Sequence, residues 1–392
     1  MRLWMFFALF GVAAAVAQEA PPSLDTLTQQ ARAARAAGDY PGYLRAVEAL
    51  ERLLPWSPTI RYSRVRALAL NGRKAEALAN LKELADAGWG FDAAGDAVLA
   101  PIRDEPGFAE VAAALALNAQ PQGQARVWRK LPLAGRQPEG VATTTDGTIY
   151  VGALKDGIYR VGASGLAKLY TPDASWGVVG LREDAPRREL IACLSDEAGG
   201  KGRLVRLALP ELQERARVEL PAAASFCNDS AVLPDGRVAL TDSTGGRLWI
   251  ADRTSIAEVK TDKPLIYPNG VAFSGGQLFV AHAGGLRVID PASGRSKDVE
   301  AAATELTGID GLIAHGGVLY AVQNGTVPIR VLRIRPKPGR ATVDVLASGH
   351  SVLNGATTVA VHERRLLVLS QTGIPNGSQP DDPVLVEVAF AR

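Results

Sequence analysis

The pattern of apolar and polar positions changes its period once along the chain. From Leu24 to about residue 117, apolar residues recur at helical spacing. Beyond Gln124 the pattern alternates with a period of two, and turn residues arrive every 8–12 residues, which is typical of many short strands. The stretch between, rich in Gln, Pro and Gly, has a linker composition. We therefore predict a helical domain over residues 18–118, a linker over 119–125 and a strand-rich domain over 126–392.

The part of the chain with helical spacing contains several helix boundaries. Ser23 is a good N-cap for a first helix that ends at Gly38, and later helices end at Pro55, Gly72 and Gly88. Gly38 and Gly72 are 34 residues apart, so residues 24–117 resemble a degenerate tetratricopeptide array with a capping helix at about 108–115. Such a domain is either a peptide-binding groove or a helical lid or assembly surface.

The part of the chain with alternating spacing contains a sequence repeat. Each of six units opens with a residue that leads into a short apolar strand, and a hairpin turn and a second strand follow in most units. The lead residues, spaced 37–52 residues apart, are Glu139, Trp176, Asn228, Asn269, Asp310 and Thr357. This period predicts a six-bladed β-propeller. The last unit runs out of chain before a fourth strand, so we expect residues 126–131 to supply it and close the ring.

The lead residues also predict a binding site. The first strand of each blade lies nearest the propeller axis, so the six leads form a ring at one mouth of the channel. Two carboxylates, two amide oxygens and one hydroxyl in this ring suit a hard divalent cation such as Ca²⁺. Alternatively, Asn and Asp at such positions only form turns, because their side chains bond nearby backbone amides.

The leads of blades one, three, four and five carry a family resemblance. Glu139-Gly140, Asn228-Asp229, Pro268-Asn269-Gly270 and Asp310-Gly311 resemble the senescence-marker-protein/gluconolactonase family, the regucalcin-like propellers to which paraoxonases are distantly related. The resemblance covers residues 126–390. It implies a calcium-type metal on Glu139, Asn269 and Asp310, with Asn228 as a further ligand or a substrate contact. It also implies hydrolysis of a lactone or ester, with Asp310 as a general base and Asn228 assisting.

Other residues are candidates for the substrate pocket around this mouth. They are Trp176, Phe226, Asp242, His282, Gln323 and Thr357. Phe226 stands where sugar-lactone members of the family carry an arginine, which counts against recognition of a sugar acid. Asp229 is expected either to bond a neighbouring loop or to enter the pocket. His315 and His362 fall in turns on the opposite face.

Composition and the N-terminus set the context. With a formal net charge of +2 and no basic stripe, nucleic acid is not an expected partner. Residues 1–17 have the pattern of a secretory signal, with cleavage before Gln18, although an uncleaved anchor is the alternative. We therefore expect a periplasmic or secreted protein, with no membrane attachment once the signal is cleaved. In such a compartment Cys193 and Cys227 either form a disulfide or stay as two buried thiols.

Two functions follow from these patterns. The first is an exported, metal-dependent hydrolase of the lactonase or esterase type. The second is a binding or scaffold protein whose helical domain and propeller both hold partners, with any metal purely structural.

Overall fold

The computed structural model describes residues 23–196, 200–221, 225–301, 304–373 and 382–390. The predicted signal sequence lies outside this part of the chain. The N-terminal helices are α1 (Leu24–Ala36), α2 (Tyr40–Leu53), α3 (Pro58–Leu70), α4 (Lys74–Asp86) and α5 (Phe108–Asn118), with a 3-10 helix at Ala97–Ile102 between the last two. Within the described residues, no helix is both long and apolar enough to cross a bilayer.

The start of α1 and the ends of α1, α3 and α4 lie where the sequence predicts, whereas α2 begins at Tyr40, about three residues before the predicted start. The Ser23 hydroxyl accepts a hydrogen bond from the Thr26 amide at 3.2 Å, so the predicted N-cap of α1 is confirmed. α1, α3 and α4 end just before Gly38, Gly72 and Gly88, each of which adopts a positive φ. The apolar faces of the helices pack into one core of their own, which includes Leu27, Leu68 and Leu81.

The rest of the chain forms a six-bladed β-propeller, as predicted, and each blade contains a four-stranded antiparallel run. Blades 1 to 3 comprise Pro138–Thr143, Ile149–Ala153, Ile158–Gly162 and Gly165–Tyr170; Trp176–Asp184, Glu189–Asp196, Gly202–Ala208 and Gln213–Glu219; and Cys227–Val232, Val238–Asp242, Arg247–Ala251 and Ile256–Glu258. Blades 4 to 6 comprise Val271–Ser274, Gln277–His282, Gly285–Ile289 and Ser296–Asp298; Ile309–His315, Val318–Gln323, Arg330–Lys337 and Arg340–Ser348; and Thr358–His362, Arg365–Ser370, Val384–Ala389 and Ala125–Lys130.

The ring closes through the two ends of the propeller sequence. Ala125–Lys130 pairs antiparallel with Val384–Ala389, so the expected closing strand is confirmed. Each of the six interfaces between blades has an apolar cluster; the one between blades 5 and 6, for example, buries Val322 against Val368. Closure and these six clusters hold the innermost strands in fixed positions around the axis.

The segment between the two parts is short and is tied to blade 5. Gln122–Gly123 pairs antiparallel with the outer strand Arg340–Ser348, and Glu300–Ala301 adds a short parallel pairing to the same strand. The predicted linker therefore leaves little free chain between the last helix and the propeller.

The helices contact the loops of blade 5 on one face of the propeller. The buried guanidinium of Arg330 lies over the Trp89 ring at 4.1 Å and donates to the Gly88 carbonyl at 3.0 Å, just beyond the end of α4. The Gly90 amide donates to the Val327 carbonyl at 2.8 Å. These contacts join the helices to the propeller through buried groups.

Cys193 and Cys227 form a disulfide, which settles the alternative that the sequence left open. The bond joins the second strand of blade 2 to the innermost strand of blade 3, and both side chains are fully buried. It therefore fixes the strand that carries Asn228 and Asp229 to its neighbouring blade.

Replacing both cysteines with alanine should lower the free energy of unfolding by about 3–4 kcal/mol, because the bond closes a loop of roughly 34 residues in the unfolded chain. Urea denaturation of the wild type and the double variant measures the difference. Thiol titration of the unfolded wild type should find no free thiol before reduction and two afterwards. Two thiols before reduction would contradict the bond.

Candidate functional site

The predicted lead residues lie at the start of the innermost strands, and three of them lie inside a β-bulge. Strand register shifts between Pro138 and Gly140, between Cys227 and Ser230, and between Ile309 and Leu312. Glu139, Asn228 and Asp310 therefore fall at positions without a regular strand partner. Because a bulge re-aims the side chain that it carries, these three residues are free to point along the axis.

The glycines that follow the leads allow neighbouring blades to touch. The Gly270 amide donates to the Asp310 carbonyl at 2.8 Å, and a Cβ added at Gly270 would lie 2.4 Å from that oxygen. The Gly311 amide donates to the Thr357 carbonyl at 2.9 Å. Neither glycine has a positive φ, so the requirement is for a missing side chain and not for an unusual turn.

These contacts bring four of the six leads around one small cavity of about 20 Å³. It is lined by residues of blades 1, 2, 3, 5 and 6, including Glu139, Asn228, Asp229, Asp310 and Thr357. The Thr357 hydroxyl donates to the Glu139 carbonyl at 3.2 Å and joins the last blade to the first. Asn269 of blade 4 is close enough to Asp310 to lower the pKa of that carboxyl.

The two predicted carboxylates sit in a strongly desolvated place. Burial raises the pKa of Asp310 to about 7, although hydrogen bonds from Asn324 and Asn269 act in the opposite direction. The Asn324 amide donates to Asp310 Oδ2 at 2.5 Å. Burial also raises the pKa of Glu139 well above its usual value, and the charges of Asp310 and Asp229 add to the effect. Both groups therefore favour the neutral form unless a positive charge joins them.

Sequence reasoning missed the arginine that crosses the axis beneath this cavity. Arg182 of blade 2 donates to both carboxylate oxygens of Asp229 at 3.0 Å, to the Ser230 carbonyl at 2.9 Å and to the Leu312 carbonyl at 3.2 Å. It thus bridges blades 2, 3 and 5. No local motif marks an arginine in the middle of a strand for such a role, and only the assembled ring shows it.

Asp229 combines the two roles that the sequence left open. Its carboxylate pairs with Arg182 and accepts the Val271 amide of blade 4 at 3.1 Å, so it bonds a neighbouring blade. It also lines the cavity. Arg182 balances this third carboxylate. Glu139 and Asp310 are therefore the two carboxylates of the cavity that have no cationic side chain as a partner among the described residues.

Three of the substrate-pocket candidates lie at the ends of second strands, where their side chains hydrogen-bond to the backbone of nearby loops. Asp242 accepts the amides of Phe226 and Gly245, both at 2.9 Å. His282 Nδ1 accepts the Gly284 amide, and burial, together with the charge of Arg287, lowers the pKa of His282 to about 4. The Gln323 amide donates to the Glu305 and Thr307 carbonyls, both at 2.8 Å. Each of these side chains holds its own loop in place.

Of the remaining pocket candidates, Trp176 and Phe226 lie outside the cavity and Thr357 lines it. Trp176 is half-buried under the guanidinium of Arg203, which lies 3.4 Å from its ring centre, and Phe226 is half-buried next to Asp242. The cavity described above is lined by Thr357 alone among the six pocket candidates.

The donor set of this cavity fits a divalent cation. Glu139 Oε2 and Asn269 Oδ1 are buried and lack a hydrogen-bond partner in the described part of the chain. Oxygens left without a partner at a point of negative potential are what a hard cation would satisfy. The described residues contain no group of three or more His, Cys, Asp or Glu arranged to hold a metal, so the site depends on the two amide oxygens as well.

Tyr267 is a second residue at this mouth that the sequence did not single out. It has φ of 49°, which is unfavourable for a bulky side chain and doubly so before a proline. The backbone is held around it, since the Ser243 hydroxyl donates to the Pro268 carbonyl at 2.6 Å. The exposed ring lies within the electrostatic reach of Asp310 and Glu139, and also of Asp25 on α1.

Comparison with known proteins informs the fold. No protein-family model matches the chain, and no curated protein does. Among solved structures, the allergen Mala s 1 of Malassezia sympodialis matches with 13% identity over 66% of this chain and 95% of its own, at a TM-score of 0.54. The PQQ-bound aldose sugar dehydrogenase of Streptomyces coelicolor matches with 17% identity over 69% of this chain and 99% of its own, at 0.48. A protein provisionally described as a gluconolactonase matches with 17% identity over 69% of this chain and 94% of its own, also at 0.48.

These likenesses concern the fold alone. With no identity above 17% among these three, no activity passes from these proteins to this chain. The chemistry has to be argued from the residues at the mouth.

The raised pKa of Asp310 predicts how the metal-free protein responds to pH. A carboxyl whose folded pKa lies above its unfolded value contributes most stability at low pH and loses it as pH rises through the folded value. In chelator, the melting temperature of the wild type, relative to that of Asp310→Asn, should fall between about pH 4 and pH 8. Thermal melts at fixed ionic strength measure this difference.

Added Ca²⁺ should restore the lost stability of the wild type near pH 8 and leave Asp310→Asn almost unchanged. A difference between the two proteins that stays constant across this range would show that Asp310 ionises normally.

Proposed function

We propose that this protein is an exported hydrolase of lactones or other esters that binds a divalent cation of the Ca²⁺ type at the propeller mouth. The observation that carries the proposal is the group formed by Glu139, Asp310, Asn228 and Asn269. Glu139, Asp310 and Asn228 line one small cavity on the axis, and burial raises the pKa of both carboxyls. Glu139 Oε2 and Asn269 Oδ1 are buried without a hydrogen-bond partner among the described residues.

The four side chains would hold the cation through oxygen atoms alone, which is the preference of Ca²⁺. A bound divalent cation would polarise the substrate carbonyl and stabilise the negative charge that develops on its oxygen. With Arg182 balancing Asp229, the two charges of Glu139 and Asp310 match those of one divalent ion.

Asp310 is the group best placed to move a proton. Its carboxylate lines the cavity, and burial raises its pKa to about 7 when no cation is bound, so it is a stronger base than an exposed carboxylate. In the proposed reaction, a water oxygen bonds to the carbonyl carbon while one water proton passes to the Asp310 carboxylate. The bond between the carbonyl carbon and the ester oxygen then breaks, and the leaving oxygen takes that proton from Asp310, which returns to its carboxylate form. Asn324 holds Asp310 in position throughout, through its amide.

Asn228 and Thr357 have supporting roles in this scheme. Asn228 lines the cavity next to both carboxylates, so its amide is available to the substrate or the cation. The Thr357 hydroxyl is engaged by the Glu139 carbonyl and therefore fixes the backbone that carries Glu139. Export follows from the signal pattern of residues 1–17, and Phe226 argues for a substrate other than a sugar lactone.

The alternative is a binding or scaffold protein in which the metal is only structural. One observation favours it: the helices are fixed to the loops of blade 5 by Arg330 and Val327, as a permanent partner-binding module would be. The paired carboxylates favour the hydrolase, because buried carboxyls with a raised pKa are typical of functional sites.

Turnover of γ- and δ-lactones and of phenyl acetate in saturating Ca²⁺ tests the proposal. The wild type should hydrolyse at least one of them, and Asp310→Asn should reduce kcat/KM by about 10²-fold or more, since it removes the general base. Asp235→Asn is the matched control. It makes the same chemical change in a hairpin turn of blade 3 on the opposite face of the propeller.

Activity that disappears with a chelator and returns with Ca²⁺ would support the role of the cation. Absence of turnover on the whole panel, in a protein that binds Ca²⁺, would reject the hydrolase and leave the binding protein.

A further inference from the structure

A second cavity lies among the helices, away from the propeller axis. It is an open cavity of about 380 Å³ lined by residues of α1, α2 and α3, and Arg32 and Arg35 in its lining are exposed. Its lining includes apolar side chains such as Val47 and Leu50 and the guanidinium-bearing side chains of Arg32, Arg35 and Arg66. A cavity lined by both apolar and cationic side chains suits an amphipathic anion.

Two of the three arginines that line this cavity have no carboxylate partner in the described part of the chain. Arg66 pairs with Asp96 at 2.5 Å and is thereby balanced. Arg32 and Arg35, on α1, make no ion pair or side-chain hydrogen bond with any described residue. Burial raises the pKa of the Tyr43 hydroxyl, and the charges of Arg35 and Arg66 partly oppose this shift. Two exposed arginines that line one cavity and have no ion-pair partner among the described residues are suited to binding an anion from solution.

The cavity adjoins the face of the propeller that carries the candidate metal site. In blade 5, Ile309 pairs with Gln323, and Gln323 pairs with Arg330, so Asp310 and the loop from 324 to 329 lie at the same edge of the sheet. Thr59, which lines the cavity, donates to the Gly325 carbonyl at 3.5 Å. The preceding residue, Asn324, donates to Asp310.

Helix α1 provides a second connection between the two places. Its first turn carries Asp25, whose charge reaches Tyr267 at the mouth, while Tyr267 is also within reach of Asp310 and Glu139. Arg32 lies seven residues further along the same helix, roughly 10 Å away at 1.5 Å per residue. A ligand that reached both places would be elongated, with its charged end several bonds from its reacting end.

We propose that this cavity binds the anionic end of the substrate, and that the substrate is an ester or lactone with a carboxylate or phosphate at the far end of an aliphatic chain. The apolar side chains of the cavity contact the aliphatic chain, and Arg32 and Arg35 bind the anion. This assignment rests on the proposed hydrolase function for the identity of the ligand as a substrate. In this arrangement the helices form one wall of the substrate site.

Isothermal titration of the full-length protein with octanoate, octyl phosphate and octanamide tests the proposal. At least one of the two anions should bind, whereas octanamide, which has the same chain without the charge, should bind at least about tenfold more weakly. Arg32→Gln and Arg35→Gln should each weaken binding of the anion by about tenfold, since each removes a charged hydrogen-bond donor. Arg35→Lys should retain part of the affinity.

Arg45→Gln is the matched control, because Arg45 is an exposed arginine on α2 outside the cavity lining, and its loss changes the net charge equally. Equal binding of octanamide, or unchanged binding of the anion in both glutamine variants, would contradict the anion site. Where a lactone or ester is turned over, the bound anion should compete with it, and activity unaffected by saturating anion would refute the link to the substrate.

Failure of the hydrolase itself would look different. There would be no turnover, while binding of the anion would persist in chelator and would still be weakened in both glutamine variants.

Discussion

The innermost strands of this propeller approach the axis so closely that neighbouring blades touch through their backbones. Gly270 donates to the carbonyl of Asp310, and Gly311 donates to that of Thr357. The Thr357 hydroxyl then reaches the carbonyl of Glu139 and completes the path from blade 4 to blade 1. A side chain at Gly270 would collide with this path. The close approach leaves a cavity of only about 20 Å³, into which the carboxylates must fit.

Burial of these carboxylates has an electrostatic cost that the structure offsets only in part. Arg182 extends across the axis to Asp229 and ties together blades 2, 3 and 5. Burial raises the pKa of all three carboxyls, that of Asp229 despite Arg182, and Glu139 and Asp310 have no arginine partner among the described residues. The innermost strands are rigidly held, and two buried carboxylates there have no positively charged partner among the described residues. This is the physical basis for proposing a divalent cation. It also explains why Asp310 would titrate near neutral pH.

The sequence predicts the repeat well because each blade carries its own local signals. The leads, the hairpin turns and the missing fourth strand are all short-range features, and the closing strand Ala125–Lys130 followed from counting them. The helix ends at Gly38, Gly72 and Gly88 are similarly local. The presence of Glu139, Asn228 and Asp310 around one cavity also agrees with the ring predicted from the leads. Their chemical roles stay predictions.

What the sequence could not show depends on contacts between blades and between the helices and the propeller. The glycine after a lead resembles a turn residue in sequence, but at Gly270 and Gly311 it permits contact with the next blade. The bulges at the leads arise from strand register, which the alternation alone does not fix. Asp242, His282 and Gln323 end second strands in the same way as pocket residues would, yet their polar atoms bond their own loops. The attachment of the helices through Arg330 and Trp89 joins residues more than two hundred positions apart.

The central claim is that the oxygen ligands at the mouth bind a divalent cation, and elemental analysis of purified protein tests it most directly. The wild type and Asn269→Ala would be dialysed together against Ca²⁺ and then against metal-free buffer, and the bound metal would be measured per chain. We expect one divalent ion per chain in the wild type and a large loss in Asn269→Ala, which removes a ligand oxygen without altering the charge. A wild type without metal, or a variant that retains the full amount, would contradict the account.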